Sequence, residues 1–189
     1  MDSDNGVIVI VSGIPASGKT TVGRALAPLL NIPVLDKDDI LERLFDERGV
    51  GDDTWRRQLS READALLEAE VSGRREAIAV SFWRVPGMPP ETGTPTEWLS
   101  ALSRAIIHIE CVCPPEVAAQ RYVQRTRHAG HLDQSLAADE VLGRIEALSN
   151  LASLEIGEKL VVDTTHALMP ALLAADVRAT VRRLAHFRR

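Results

Sequence analysis

The fold is decided by the run Val7-Ile8-Val9-Ile10-Val11-Ser12-Gly13-Ile14-Pro15-Ala16-Ser17-Gly18-Lys19-Thr20. Its first five residues are apolar and β-branched without alternation, which is typical of a strand buried on both faces of a parallel sheet. A glycine-rich turn follows at once, and apolar residues then recur at helical spacing up to Leu30. The run therefore predicts a strand, a tight turn and a helix in immediate succession.

Residues 13–20 match the pattern G-x-x-x-x-G-K-T between a buried strand and a helix, which is the context that its chemistry needs. Backbone N–H groups of such a turn can point at phosphate oxygens, and the helix N-terminus adds its positive end. We expect Lys19 to reach the β- and γ-phosphates of a nucleoside triphosphate and Thr20 to bind Mg²⁺. The predicted nucleotide-binding residues of this turn are Gly13, Ile14, Pro15, Ala16, Ser17, Gly18, Lys19, Thr20 and Thr21.

The rest of the chain continues to alternate strands and helices. Further strands are predicted at residues 32–35, 77–82, 104–112 and 159–163. Helices are predicted near residues 40–47, 54–72, 114–127, 139–156 and 168–186. This order predicts one domain over residues 1–189, with a three-layer α/β/α P-loop NTPase fold, a five-stranded parallel sheet and a small helical lid. We expect the lid around 118–138 and a substrate loop around 84–98, with flexible surface loops as the alternative.

Composition and charge narrow the class of protein. The chain has 189 residues, 45% of them hydrophobic, and a net charge of −5, which argues against a protein that mainly grips long nucleic acid. Cys111 and Cys113 lie two apart on a predicted strand, where buried thiols are expected and a disulfide would be strained. The polar start lacks the apolar stretch of a secretion signal, and no run reaches membrane-spanning length. We expect a cytoplasmic monomer or homodimer without a membrane partner.

An acidic cluster, Asp36-Lys37-Asp38-Asp39, follows the second predicted strand. In an open parallel sheet, ligands bind beyond the carboxyl ends of the strands, which places Asp36 and Asp38 beside the predicted phosphate site. A carboxylate there can accept the proton of an attacking hydroxyl or hold a water of the Mg²⁺ shell. We interpret Asp38 as the base and Asp36 as a metal-shell or positioning group. The alternatives are the reverse assignment and a capping box in which Asp39 and Glu42 begin a helix.

Arginines on the helix after the fourth strand suggest a lid. Arg121 and Arg125 are one turn apart on one face, and the helix leads into a loop with His128 and His131. Phosphoryl transfer needs cations that arrive around the migrating group as the site closes. We therefore expect Arg121 and Arg125 to act in a lid, although a solvated basic face is the usual explanation of such a run. We interpret the two histidines as loop residues and His108 as a packed strand residue.

With these motifs in place, the chain resembles the small P-loop kinases related to adenylate kinase, in the group of chloramphenicol phosphotransferase, zeta-toxin-like kinases and the phage polynucleotide kinase domain. The resemblance covers nearly the whole chain and includes the turn Val162-Asp163-Thr164-Thr165. It implies an ATP- and Mg²⁺-dependent kinase in which Asp38 is the base and Arg121 and Arg125 contact the transferring phosphate. On the same sheet edge, Thr164 and Thr165 would line the base pocket or cap the last helix.

The third strand departs from the family pattern. Relatives commonly carry an Asp at its end, whereas this chain has Val80-Ser81-Phe82-Trp83-Arg84. Ser81 could substitute in the metal shell through a water. Trp83 and Arg84 become candidates for the acceptor pocket, with packing of Trp83 under the Pro-rich loop as the alternative.

We expect a kinase that transfers the γ-phosphate of ATP to a hydroxyl of a small molecule. Such an acceptor needs polar and aromatic walls, which could come from Trp55, Trp83 and Trp98. A polynucleotide 5′-hydroxyl is the alternative acceptor and needs a basic channel, but the available arginines are interleaved with acids: Arg56, Arg57, Arg61 and Arg84. A regulatory nucleotide-binding module is the third class. A GTPase is disfavoured because the guanine motif Asn-Lys-x-Asp is missing from the sequence.

Overall fold

The computed structural model describes residues 6–132 and 137–187. Its strands are β1 (Val7–Ser12), β2 (Val34–Asp36), β3 (Ala77–Val80), β4 (Ala105–Val112) and β5 (Glu158–Asp163). Its helices are α1 (Lys19–Leu30), α2 (Lys37–Arg48), α3 (Asp53–Ser72), α4 (Pro115–Gln124), α5 (Ala138–Ser149) and α6 (Pro170–Phe187). Two short 3₁₀ helices, Glu97–Ala101 and Ala129–His131, interrupt the loops.

The five strands form one parallel sheet in the order β2-β3-β1-β4-β5. Strand β1 is central, with Val9 opposite Ile78 on one side and Ile107 on the other, and all six of its residues are buried. The predicted α/β P-loop fold is therefore confirmed. After β1 the chain forms β2 and β3 on one side of β1, and it then crosses to form β4 on the other side. Connections on opposite sides of β1 leave a crevice at its carboxyl end.

Two apolar clusters cover the two faces of the sheet. On one face, Ile8 and Ile10 of β1 pack with side chains from α2 and α3. On the other face, Val9 and Val11 pack with side chains from α1 and α6. Each fully buried aliphatic side chain contributes about 1.5–3 kcal/mol, so these clusters hold the layers together. Among the described helices, none combines the length and the apolar character that a bilayer crossing requires.

Several predicted boundaries are wrong for identifiable reasons. Helix α2 begins at Lys37 because the Asp36 carboxylate accepts a hydrogen bond from the Asp38 N–H at 3.0 Å and caps the helix. Helix α5 ends at Ser149, which frees the following segment to bury Leu154 against the face covered by α2 and α3. Helix α4 ends at Gln124, and residues 133–136 of the predicted lid lie outside the described part of the chain.

His108 offers a test of the packing in β4. Its ring is fully buried, and its Nε2 lies 2.6 Å from the Ser12 hydroxyl oxygen. Burial lowers the pKa of His108 to about 4, although the Glu110 carboxylate opposes this shift. Below the ordinary pKa of about 6.5, His108 is protonated in the unfolded chain but stays neutral in the native protein. The unfolding free energy therefore decreases as the pH falls from about 6.5 toward 4.

We predict that His108→Gln flattens this acid dependence. In urea unfolding, the loss of unfolding free energy between pH 7 and pH 4.5 should be smaller in the variant than in the wild type by about 2 kcal/mol. The control is His186→Gln, which changes an exposed histidine of α6 and should keep the wild-type loss. Equal losses in the wild type and His108→Gln would mean that His108 is not held neutral by burial.

Candidate active site

The turn between β1 and α1 is shaped by two glycines. Gly13 and Gly18 have φ angles of 141° and 90°, and a Cβ on Gly13 would lie 2.4 Å from the carbonyl oxygen of Cys111. The Lys19 ammonium donates to the carbonyl oxygens of Gly13 and Ile14 at 3.0 and 2.8 Å. Burial lowers the pKa of Lys19, and nearby carboxylates, Asp38 among them, oppose this shift. The lysine and the amino end of α1 thus share one site, as the phosphate-binding prediction requires.

The turn after β5 forms hydrogen bonds with the loop of residues 13–20, which we call the phosphate loop. The Thr164 hydroxyl donates to the carbonyl oxygen of Ser17 at 2.6 Å, and its N–H donates to that of Val112 at 2.9 Å. Arg121 Nη2 donates to the carbonyl oxygens of Thr164 and Thr165 at 2.7 and 3.3 Å. The structure therefore brings together the predicted nucleotide residues of this turn and of α4. Capping of the last helix by this turn is ruled out, because α6 begins only at Pro170.

Asp36 lies at the centre of the acidic cluster and is only 5% exposed. Its Oδ2 accepts a hydrogen bond from the Thr20 hydroxyl at 2.7 Å. Burial raises the pKa of Asp36 to about 6, against the opposing effect of the Thr20 hydrogen bond. A buried carboxylate with this shift is a favourable place for a cation. The capping alternative for Asp39 is wrong, because Asp39 lies inside α2 and pairs with Arg24 at 2.6 Å.

The oxygen donors of Thr20 and Asp36 fit Mg²⁺. This hard cation is usually held by one or two protein oxygens, with phosphates and waters completing its shell. Within residues 6–132 and 137–187, no group of three or more His, Cys, Asp and Glu side chains could hold a metal alone. A site of two protein oxygens beside the phosphate loop matches an ion that arrives with a nucleotide.

Asp38 is held by an arginine that the sequence analysis did not select. Arg127 Nη2 lies 2.5 Å from Asp38 Oδ2 and 3.1 Å from the Nε2 of His131, which in turn lies 2.9 Å from Glu42 Oε1. The Arg127 side chain is 16% exposed and that of Asp38 is 51% exposed. The predicted lid arginine Arg125 instead follows the end of α4 and lies over the Tyr122 ring at 4.1 Å.

The segment after α4 docks on Phe45 of α2. The ring of His128 stacks on Phe45 at 5.4 Å, and the ring of His131 meets its edge at 5.7 Å. A Cβ on Gly130 would lie 2.4 Å from the Phe45 ring, so only glycine fits there. Burial lowers the pKa of His131. We call residues 125–132 the lid segment; both of its histidines pack on Phe45, a contact that their interpretation as loop residues did not include.

One cavity of about 1540 Å³ connects these groups. Its nucleotide half is lined by the phosphate loop, Arg121, Arg125 and Thr164, and Asp36 and Asp38 lie beside them. Its second half is lined by the first turns of α3 and by the loop after β3: Asp53, Arg56, Arg57, Ser60, Arg61, Asp64, Arg84, Thr92 and Gly93. Single small-ligand pockets usually have 300–1,000 Å³, so the cavity has the size for two ligands.

Of the candidates from the third strand, Arg84 and Ser81 line this cavity and Trp83 does not. Trp83 is 2% exposed, and its indole N–H donates to the carbonyl oxygen of Val11 at 2.9 Å. The packing alternative therefore holds for Trp83. Trp55 and Trp98 also pack against the core, so the expected tryptophan walls are absent from the described cavity, which Phe82 and Tyr122 line instead. Ser81 is buried, with its hydroxyl oxygen 2.5 Å from that of Thr94.

Comparison with known proteins agrees with this geometry. The profile of the AAA domain family matches residues 8–151, well over half of the chain. The chain belongs to this family. A solved structure of a proposed kinase from Chloroflexus aurantiacus is 29% identical, with a TM-score of 0.79, and the match covers 93% of this chain and 98% of that one. Shikimate kinase from Bacteroides thetaiotaomicron, at 21% identity and a TM-score of 0.54 over 96% and 97% of the two chains, shares the fold.

Sequence relatives of this AAA-family chain match over shorter stretches. Cytidylate kinase of Methanococcoides burtonii is 33% identical over 75 residues, which are 40% of this chain and 42% of that enzyme. The chain spans less than half of the length of the curated relatives it matches. The closer likeness to chloramphenicol phosphotransferase and zeta-toxin-like kinases stays a prediction.

We predict that Gly130→Ala releases the lid segment. The added Cβ overlaps the buried Phe45 ring, so the variant should lose about 1–3 kcal/mol of unfolding free energy, and amide hydrogen exchange of residues 125–132 should speed up. The matched control is Gly143→Ala in α5, where the added Cβ meets open space and should stabilise the helix by about 0.5–1 kcal/mol. Unchanged exchange in Gly130→Ala would contradict the docked position.

We predict that Asp36→Asn stabilises the protein at pH 8. The pKa of Asp36 is raised to about 6, so its ionisation costs the native state stability as pH rises from about 4 to 6, and the full cost remains above pH 6. The amide keeps the shape of the carboxylate and lacks its charge. Urea unfolding at pH 8 should show a gain of about 1–3 kcal/mol, and this gain should vanish near pH 4. A loss of stability at pH 8 would show that the buried charge is compensated in the wild type.

Proposed function

We propose that the protein is an ATP-dependent kinase that transfers the γ-phosphate to a hydroxyl group of a small molecule. The observation that carries this proposal is one continuous cavity whose lining includes the phosphate loop, Asp38 and a further set of polar residues from α3 and the loop after β3. A hydrolase or a regulatory nucleotide-binding module needs no second half. The relatives support the proposal, because cytidylate kinase and shikimate kinase share local sequence with this chain.

In the proposed reaction, the acceptor hydroxyl oxygen forms a bond to the γ-phosphorus as the bond from that phosphorus to the β–γ bridging oxygen breaks. The hydroxyl proton passes to the carboxylate of Asp38, and ADP leaves. Only Oδ2 of Asp38 is engaged by Arg127, so Oδ1 can accept the proton while the ion pair persists. Asp38 is thus both oriented and available as a base.

The remaining groups stabilise charge and position the reactants. Lys19 lies at the phosphate loop and would neutralise β- and γ-phosphate oxygens, and Arg121 and Arg125 line the same half of the cavity. Thr20 and Asp36 would hold Mg²⁺, which would supply positive charge to offset the negative charge of the transferring phosphate. Most of the rate acceleration would come from this positioning and from charge stabilisation.

The experiment that tests the function is ADP release from ATP and Mg²⁺ in the presence of hydroxyl compounds. The panel contains sugars, sugar acids, nucleosides, aminoglycosides, chloramphenicol-like diols and a 5′-hydroxyl oligonucleotide, with Lys19→Ala as the inactive control. Stimulation by one small-molecule class supports the proposal. Stimulation by the oligonucleotide alone favours a polynucleotide kinase, and ATP binding without any stimulation favours a regulatory module.

We predict that Asp38→Asn lowers the transfer rate with the best acceptor by about 100-fold or more, because the amide cannot take the hydroxyl proton. The affinity for ATP, measured by calorimetry, should change by less than about threefold. The control is Asp176→Asn, which changes an exposed carboxylate of α6 outside the cavity and should retain the wild-type rate. Full transfer activity in Asp38→Asn would remove Asp38 from the role of base.

A further inference from the structure

The second half of the cavity is rich in cations that come from the amino end of α3. Because α3 leads back to the start of β3, its first turns lie at the same sheet edge as the phosphate loop. Arg56, Ser60 and Arg61 all line the cavity there, within about one and a half turns of α3. Arg84 enters the same wall from the loop after β3.

Ion pairing neutralises only some of the charges on this wall. Lys37 pairs with Asp64 at 2.6 Å, and Arg57 pairs with Asp53 one turn before it on α3. Within residues 6–132 and 137–187, the guanidinium of Arg56 has no ion pair, and neither has that of Arg61. Two guanidinium groups on this wall therefore have no carboxylate of the described chain within ion-pairing distance, although Asp53 and Asp64 line the same cavity.

Arg56 also carries a buried donor that lacks an acceptor. Its Nε is inaccessible to solvent and has no hydrogen-bond partner among the described residues. An unsatisfied buried donor costs about 1–3 kcal/mol, and more when the group is charged, so such groups in native proteins call for an explanation. Because a water-sized probe does not reach this Nε, a ligand oxygen could accept from it only after the side chain shifts, and Arg56 enters the inference through its place on the cavity wall.

The loop after β3 positions Arg84 at the same cavity wall through a backbone hydrogen bond. Its Nε donates to the carbonyl oxygen of Thr92 at 3.1 Å, which fixes the plane of the guanidinium at the cavity wall. The Glu97 carboxylate lies 3.7 Å from Nη1 and is 73% exposed, so it balances the charge only weakly. Because Nη2 also lies 3.5 Å from the carbonyl oxygen of Gly93, two backbone carbonyls fix the guanidinium, and its remaining N–H groups can donate to a carboxylate or phosphate oxygen.

We infer that the acceptor of the proposed kinase is a small acid, whose carboxylate or phosphate group is bound by Arg56, Arg61 and Arg84 while its hydroxyl meets Asp38. This inference rests on the proposed function. The acids Asp53 and Asp64 beside the arginines argue against the backbone of a long polyanion.

The test compares hydroxyl compounds that differ only in an acidic group: D-glucose against D-gluconate, glycerol against D-glycerate and against glycerol phosphate, and a nucleoside against its monophosphate. ADP release measures transfer. Calorimetry on the protein loaded with a non-hydrolysable ATP analogue measures acceptor binding without chemistry, and the analogue keeps added anions out of the phosphate loop. We expect an acid of the panel to bind and to react while its neutral partner does neither.

Arg56→Met should raise the KM and Kd for that acid by about 10- to 100-fold, with little change in ATP affinity. Arg56→Lys keeps the charge without the fork and should give an intermediate KM, which separates recognition from folding. The control Arg182→Met changes an exposed arginine of α6 outside the cavity and should match the wild type. Comparison of carboxylates with phosphates identifies which oxyanion the site takes.

Each outcome decides the inference separately from the proposed function. Acid binding that depends on Arg56 without ADP release supports the anion site and contradicts the kinase. Equal reaction of neutral and acidic partners, or an unchanged KM in Arg56→Met, overturns the anion site and leaves the kinase standing. Stimulation by the 5′-hydroxyl oligonucleotide alone, or no binding by any acid of the panel, also overturns the inference.

Discussion

The parallel direction of all five strands is the constraint from which the site follows. Parallel strands have all their carboxyl ends at one edge, so the residues that follow them meet there although they are far apart in sequence. The Thr20–Asp36 bond joins the segments after β1 and β2, and the Thr164–Ser17 bond joins the segment after β5 to the phosphate loop. The middle of β1 and the whole of β3 are apolar, and the polar side chains gather at the edge beyond these strands.

Gathering charges at this edge has an energetic cost. Burial raises the pKa of Asp36 and lowers that of Lys19, which means that each charge is unfavourable where the fold places it. The Asp36 carboxylate opposes the pKa shift of Lys19, and hydrogen bonds from the Thr20 hydroxyl and the Asp38 N–H oppose the pKa shift of Asp36, in each case only in part. An interior chosen for stability alone would have apolar groups here, so the charges are explained by what they bind rather than by what they hold together.

The sequence was informative where structure is local. The β-branched run, the glycine turn and the alternation of strands and helices predicted the sheet and the phosphate loop correctly, because these features depend on neighbouring residues. It failed where contacts are long-range. The role of Arg127 depends on the end of α4 and on Asp38, 89 residues away, and the burial of Trp83 depends on Val11, 72 residues away. The periodicity of either segment contains no sign of such a partner.

An ion pair and ring packing both hold the lid segment against α2, and their contributions are unequal. The Arg127–Asp38 pair is half exposed on the Asp38 side and contributes at most about 1 kcal/mol, whereas burying Phe45 and His131, at 2% and 3% exposure, contributes more. Ring packing therefore holds the segment down, and the ion pair mainly orients Asp38. Because the pair is cheap to rearrange, Asp38 can turn toward a hydroxyl while the segment stays docked. The docked position of the lid segment and the orientation of Asp38 are thus controlled by different interactions.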